Sequence, residues 1–215
     1  FLPSSGQLHI WDIQDAKGVR IDSGMIEGNK VTSFYDPMLA KVIGYGNTRI
    51  TAINNLISCL ENSSIFGVTN NRNFLIDILK HKEFQKGLTN ISFLGHCYTD
   101  GFKEPYPTTD DYALVATLIY KKKMLNYQAG ALNMPDELMG WSSSGHLKNK
   151  TQLKFKNSSK EVVVIQKNYA EFTTLVDNYR SEISLAKNEY RINDIRKSVV
   201  SFNTNDQCHQ LTTPN

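Results

Sequence analysis

Tyr112-Ala113-Leu114-Val115-Ala116-Thr117-Leu118-Ile119-Tyr120 is a run with almost no polar side. It stands inside a longer helical stretch, residues 110–126, which Asp110 and Asp111 open and Lys121, Lys122 and Lys123 follow. Acids at the start and bases toward the end both complement the helix dipole. A helix that is apolar all round must be covered all round. The chain beyond it offers the cover: short, alternating, β-branched segments recur at residues 151–155, 162–165, 172–176, 182–186, 190–192 and 198–202. Strands this short and this regularly spaced predict a curled antiparallel sheet or barrel. The expected architecture of residues 110–202 is therefore a long central helix wrapped by an antiparallel β-barrel. Residues 203–215 are polar and are expected to form a flexible tail.

Upstream of the helix, residues 96–109 are polar and carry Asp100-Gly101, Pro105 and Pro107, which predicts a linker. Residues 1–95 read as α+β, with helices packed on a largely antiparallel sheet. Short runs at residues 7–11, 18–22, 30–34 and 41–45 are bounded by Gly, Asp, Asn or Pro, the pattern of strands joined by tight turns. Glu27-Gly28-Asn29 is one such turn. Thr48 is the expected N-cap of a helix whose apolar face carries Ile50, Ile53, Ile57 and Leu60. Residues 64–68 return to strand character. A second helix starts near Asn70 or Asn71 with Phe74, Leu75, Ile78 and Leu79 as its stripe, and residues 84–87 form a short helical turn closed by Gly87.

The chain has 215 residues and a net charge of +3, so one large domain or two small ones are expected. No basic cluster suggests nucleic acid, no run of apolar residues is long enough to span a membrane, and the first residues carry no signal peptide. Phe1-Leu2-Pro3 does not look like a natural start, and the chain reads as a piece of something longer. Cys59, Cys97 and Cys208 are odd in number and far apart, which suits a reducing compartment. The five histidines are scattered, with no partner at ligand spacing, so no metal is expected.

The residues by themselves show no catalytic constellation: GxSxG, GxxxxGK[ST] and a helix-opening GxGxxG are all missing. Asp36 and Lys41 fall within one turn-and-strand unit. A turn aspartate capping a local N–H is the stronger reading, with an acid/base pair as the weaker. Arg20 alternates with Asp22 on one strand face, which reads as a solvated face ahead of an interface.

Three ordered runs alter that balance: Phe1-Leu2-Pro3-Ser4-Ser5-Gly6, Gly18-Val19-Arg20-Ile21-Asp22-Ser23-Gly24, and Tyr35-Asp36-Pro37-Met38-Leu39-Ala40-Lys41-Val42-Ile43. They continue through Gly46-Asn47-Thr48-Arg49, Ile65-Phe66-Gly67-Val68-Thr69-Asn70-Asn71, Phe84-Gln85-Lys86-Gly87 and Thr89-Asn90-Ile91-Ser92-Phe93-Leu94. In order and spacing, residues 1–95 resemble the C-terminal subdomain of biotin carboxylases, above all those fused into biotin-dependent acyl-CoA carboxylase α subunits. Asn70 departs from the family, which usually has Thr there. Residues 110–202 resemble, more weakly, the helix-plus-barrel domain that joins biotin carboxylase to the carboxyltransferase subunit. Gly140-Trp141-Ser142-Ser143-Ser144-Gly145-His146-Leu147-Lys148-Asn149 is most similar to 3-methylcrotonyl-CoA carboxylase α subunits, although the family often has Trp-Arg in place of His146-Leu147.

The resemblance implies a ligase that uses ATP and bicarbonate to carboxylate biotin and then an acyl-CoA such as 3-methylcrotonyl-CoA. Equivalent pieces of a propionyl- or geranyl-CoA carboxylase, or a free-standing interaction module without catalysis, are the alternatives. The whole enzyme would use biotin, ATP and Mg²⁺, none of them held by this chain alone, because the family's phosphate lid, metal carboxylates and biotin-steadying Arg lie upstream. Its implied partners are the carboxyltransferase β subunit, a second biotin carboxylase subunit and the biotinyl carrier domain of the same chain. Its implied location is cytoplasmic, or the mitochondrial matrix in a eukaryote. Arg20 and Asp36 match residues at the dimer contact. Ile91 matches an apolar residue against the adenine of ATP, with core burial as an equal reading. Met134, Leu138, Met139 and Trp141 would form a hook that docks on the carboxyltransferase subunit, the other reading being a loop folded back on the barrel.

Overall fold

The computed structural model describes residues 4–13, 16–130, 135, 142–143, 145–186, 189–197, 201–204 and 209–212, with residues 197, 201–204 and 209–212 as backbone only. The chain divides into two compact units, one running to Pro105 and one from Tyr106.

The first unit pairs its strands in three separate antiparallel ladders instead of one sheet. β1 (Gly6–Gln7) pairs with β4 (Lys30–Val31), β2 (Ile10–Asp12) with β6 (Ser64–Phe66), and β3 (Val19–Ser23) with β5 (Ala40–Gly44). The sequence reading of a largely antiparallel sheet is right in direction. Strands of two to five residues are too short to merge into one ladder. The first helix, α1 (Arg49–Glu61), begins as expected at Thr48, whose hydroxyl accepts the Thr51 N–H at 3.1 Å. Ile53, Cys59 and Leu60 are its buried residues, while Ile50, in the first turn, stays exposed. The helix sits close on β5 because position 44 is glycine: a Cβ there would meet the Leu56 side chain and, at 2.7 Å, the Ala52 carbonyl.

In α2 (Arg72–Lys80) the buried residues are Phe74, Ile76 and Leu79. Leu75, expected on the core stripe, is instead exposed and lines a cavity. α3 (Lys82–Gln85) ends at Gly87, which takes a left-handed φ of +71°, as the glycine predicted. The expected linker begins inside packed structure. α4 (Phe93–Cys97) places Phe93 edge-on to His81, and Phe74 packs on Tyr98 and Phe102 at 4.9 and 5.3 Å between ring centroids. The Tyr98 hydroxyl donates to Asp77 at 2.6 Å. Aromatic contact thus outweighs the polar composition of residues 96–102.

The second unit begins with α5 (Thr109–Gly130), which runs past the expected end at residue 126. Thr108 and Asp111 form a reciprocal cap: the Thr108 hydroxyl accepts the Asp111 N–H at 3.2 Å and the Asp111 carboxylate accepts the Thr108 N–H at 2.8 Å. The longer helix alters the meaning of the three lysines. No basic residue stands in its last turn, so Lys121–Lys123 are too far from the terminus to serve the dipole.

Against α5 lies a six-stranded antiparallel meander, ordered β12-β11-β10-β9-β8-β7. Its strands are β7 (Lys148–Phe155), β8 (Ser158–Gln166), β9 (Glu171–Val176), β10 (Tyr179–Ala186), β11 (Glu189–Ile192) and β12 (Ile195–Lys197). Alternate residues Val162, Val164, Phe172, Val176, Ile183, Leu185 and Ile192 form one core with helix residues 112–120. Tyr112, Ala113, Leu114, Ala116, Thr117, Leu118, Ile119 and Tyr120 are buried, which covers the helix on every side there. The Tyr120 hydroxyl donates to the buried Gln166 side chain at 2.9 Å, satisfying both groups within that core. The expected barrel closure is absent from the described strands: β7 and β12 are both edges. β13 (Ser201–Thr204) and β14 (His209–Thr212) form a separate antiparallel hairpin where a flexible tail was expected. Backbone pairing there does not need the apolar alternation by which strands are read from sequence.

Candidate functional site

The first unit holds a cavity of about 420 Å³. It is walled by Trp11 of β2, Met38 and Leu39 of the loop before β5, Ile65 of β6 and Leu75 of α2, with Asp36 and Arg72 also in the lining. The size is that of a small-ligand pocket. Its two charged groups, however, are already engaged. Arg72 donates to the Leu60 and Ser63 carbonyls at the end of α1, and to Asn73 at 3.2 Å. Burial lowers the pKa of its guanidinium, which remains charged. The Asp36 carboxylate accepts the Met38 N–H at 2.9 Å. The recess can receive a side chain or ligand, and its lining holds no Cys, His or Lys. Sequence reasoning missed Arg72. A basic residue in the first turn of a helix runs against the dipole, and that was the signal of another job.

Asp36 is therefore the turn aspartate that the stronger reading gave. Lys41 does not face it: β3–β5 register puts Lys41 opposite Asp22. On the same strand Arg20 forms a bidentate pair with Asp22 at 3.0 and 2.9 Å. Their hydrogen bond, then their mutual charge, raises the Arg20 pKa; the same hydrogen bond is the main cause that lowers that of Asp22. Both side chains are well exposed, so the pair adds little to stability and keeps a guanidinium poised at the surface. The structure does not join Arg20 to Asp36: one is turned to its own strand, the other to its own loop.

Ile91 is 104% exposed, which removes core burial as its reading. It stands in a turn where Asn90 accepts the Ser92 N–H at 2.9 Å, with Leu88 and Leu94 exposed nearby in sequence. Met134, Leu138, Met139 and Trp141 lie outside the described residues. Among the described residues no group of three His, Cys, Asp or Glu side chains could hold a metal ion, so no ligand set for Mg²⁺ is found on them. Nor is any helix among them long and apolar enough to cross a membrane.

Short ladders, a glycine-spaced helix and an exposed arginine strand are features of residues 1–96, and these residues match the family described as biotin carboxylase C-terminal domain. Through these residues the chain is homologous to biotin-dependent acyl-CoA carboxylase α chains, which are ligases. The propionyl-CoA carboxylase alpha chain of Sus scrofa is 38% identical over 111 residues, 51% of this chain and 15% of that one. The methylcrotonoyl-CoA carboxylase subunit alpha of Arabidopsis thaliana is 37% identical over 105 residues, 48% and 14% of the two chains. This chain thus spans about 15% of the length of the curated relatives it matches. Both relatives are mitochondrial. Their near-equal identity gives the 3-methylcrotonyl reading no preference over propionyl. Among solved structures, the biotin carboxylase domain dimer of Hydrogenobacter thermophilus 2-oxoglutarate carboxylase, in complex with MgADP, ADP and bicarbonate, is 28% identical. It covers 48% of this chain and 23% of its own with a TM-score of 0.45, which adds nothing to the sequence match.

Proposed function

We propose that the chain is part of the α subunit of a biotin-dependent acyl-CoA carboxylase, in which its first unit completes the biotin carboxylase and its second joins that enzyme to a carboxyltransferase β subunit. The observation that carries this reading is the match of residues 1–96, with its motifs in order and at family spacing. Exposed apolar side chains on the first unit, Phe34, Tyr35, Met38, Leu88 and Ile91 among them, support it: a free-standing domain would gain by burying them. In this reading Ile91 gives the adenine of ATP an apolar surface, and Arg20 and Asp36 belong to the contact with a second biotin carboxylase. ATP would supply the activation of bicarbonate and biotin would carry the carboxyl group; what this chain adds is shape and surface. The acyl-CoA is 3-methylcrotonyl-CoA or propionyl-CoA.

In the second unit the finer architecture we propose is a barrel closed around α5. The burial of helix residues 112–120 on every side supports it, as does the spare hairpin that follows β12. Met134, Leu138, Met139 and Trp141 would form the docking hook that follows the helix. The test is a titration of the cognate carboxyltransferase β subunit with the 215-residue chain in a calorimeter. The reading predicts saturable binding, weakened at least tenfold by Trp141→Ala without a change in melting temperature. No binding of the unaltered chain would overturn the subunit-joining role. A lower melting temperature with unchanged affinity of the folded fraction would rule out the hook.

A further inference from the structure

Arg49 is the first residue of α1, where a cation runs against the helix dipole, and no acidic residue stands in that first turn to offset it. The helix itself therefore does not explain an arginine at this position. Its side chain reaches a carbonyl 35 residues away: Nε and Nη2 both donate to the Phe84 oxygen, at 3.2 and 2.7 Å. The guanidinium also lies over the Phe84 ring, 5.0 Å from its centre. Phe84 in turn packs on the core that α1 and α2 share.

The carbonyl that Arg49 grips is the one that closes the turn out of α3, because it also accepts the Gly87 N–H at 3.1 Å. Gly87, left-handed, then sends the chain into residues 88–92. This stretch is held at its two ends. At one, the Leu88 N–H donates to the Glu83 carbonyl at 3.0 Å; at the other, the Phe93 N–H donates to the Asn90 carbonyl at 3.1 Å, and Phe93 is buried against His81. Between the ends the Leu88 and Ile91 side chains stand in solvent, so packing places neither of them. The position of Ile91 is set by where the chain leaves α3, and Arg49 holds that point.

We propose that Arg49 is a positioning residue for nucleotide binding, fixing the exit of α3 and through it the place of Ile91. The inference rests on the reading of Ile91 as the apolar surface for adenine and adds the residue that aims it. Arginine suits the task, since its planar fork gives two N–H bonds to one oxygen while its face lies on a ring. Lysine keeps the charge but is a point donor that cannot do both.

The experiment takes Arg49→Lys, Ile91→Ala and the pair through two measurements. In the 215-residue chain, amide hydrogen exchange at Gly87 and Leu88 is followed beside a melting curve. In the complete α subunit, KM for ATP and kcat are measured for the carboxylation of biotin. The proposal expects Arg49→Lys to speed exchange at those two amides with an unchanged melting temperature. It expects the same variant to raise KM for ATP roughly threefold to tenfold at constant kcat, the size of coupling within one contact network. Ile91→Ala should raise KM as well, and the pair should be no worse than Ile91→Ala, because Arg49 acts through Ile91. Effects on KM that multiply in the pair would overturn the proposal and leave the adenine reading intact. So would unchanged exchange and KM in Arg49→Lys, or a lowered melting temperature with kcat and KM altered together, which is a structural role only. An Ile91→Ala enzyme with the ordinary KM for ATP would overturn the adenine reading, and the proposal with it.

Discussion

Gly67 has a φ of +115°, and a Cβ there would run into the backbone carbonyl of Gln7. An alanine at such a φ costs more than about 1 kcal/mol in backbone strain alone, and overpacking against fixed backbone adds about 1–3 kcal/mol. Gly67→Ala should therefore lower the unfolding midpoint of the first unit and leave that of the second unchanged, as a two-transition melt would read. The sequence showed Gly67 only as one letter of a motif; its reason is a close approach between residues 60 positions apart, which no local pattern encodes. Tyr120 is a second case. Burial holds its phenol pKa above the ordinary 10.0. A folded pKa above the unfolded value means that the contribution is whole below pH 10.0 and is lost as pH rises beyond it. Stability of the second unit should fall more steeply above that pH in the unaltered chain than in Tyr120→Phe, as urea midpoints over a pH series would show. Equal slopes would contradict the assignment.

At the scale of elements, helix α5 was legible because its apolar run lacks a polar side, and Leu114 is indeed 1% exposed. Replacing Leu114 with Ala should cost about 2–5 kcal/mol, the range for a buried leucine, measured as the loss in unfolding free energy of the second unit. An unchanged midpoint would contradict the packed helix. The helix N-terminus was legible too, since Asp110 and Asp111 mark it. Its far end was not, because no glycine or proline stands between Lys123 and Ala129 to stop it. In the first unit the Thr48 cap and the Gly87 turn were legible for the same local reasons. The Phe74–Tyr98–Phe102 cluster was not, since it is made by side chains 24 to 28 residues apart whose neighbours are polar.

For the whole molecule, the proposed roles of the two units rest on different grounds. Residues 1–96 match the biotin carboxylase C-terminal domain, and the described residues offer no metal-ligand cluster. Arg20, Asp36 and Ile91 were singled out in the sequence through family spacing alone, and a role for them is part of the proposal. The sequence did not convey the cavity around Trp11 and Leu75, which exists only once β2, β6 and α2 meet. The 215-residue chain alone should release no ADP in a biotin- and bicarbonate-dependent manner, and measurable release would contradict its role as a completing piece. The central claim is that these residues continue an ATP-dependent biotin carboxylase, and the coding sequence immediately upstream of Phe1 tests it most directly. The account predicts an open frame, continuous with Phe1, that encodes an ATP-binding carboxylase domain. An in-frame stop codon in that position would contradict it and leave a free-standing interaction module in its place.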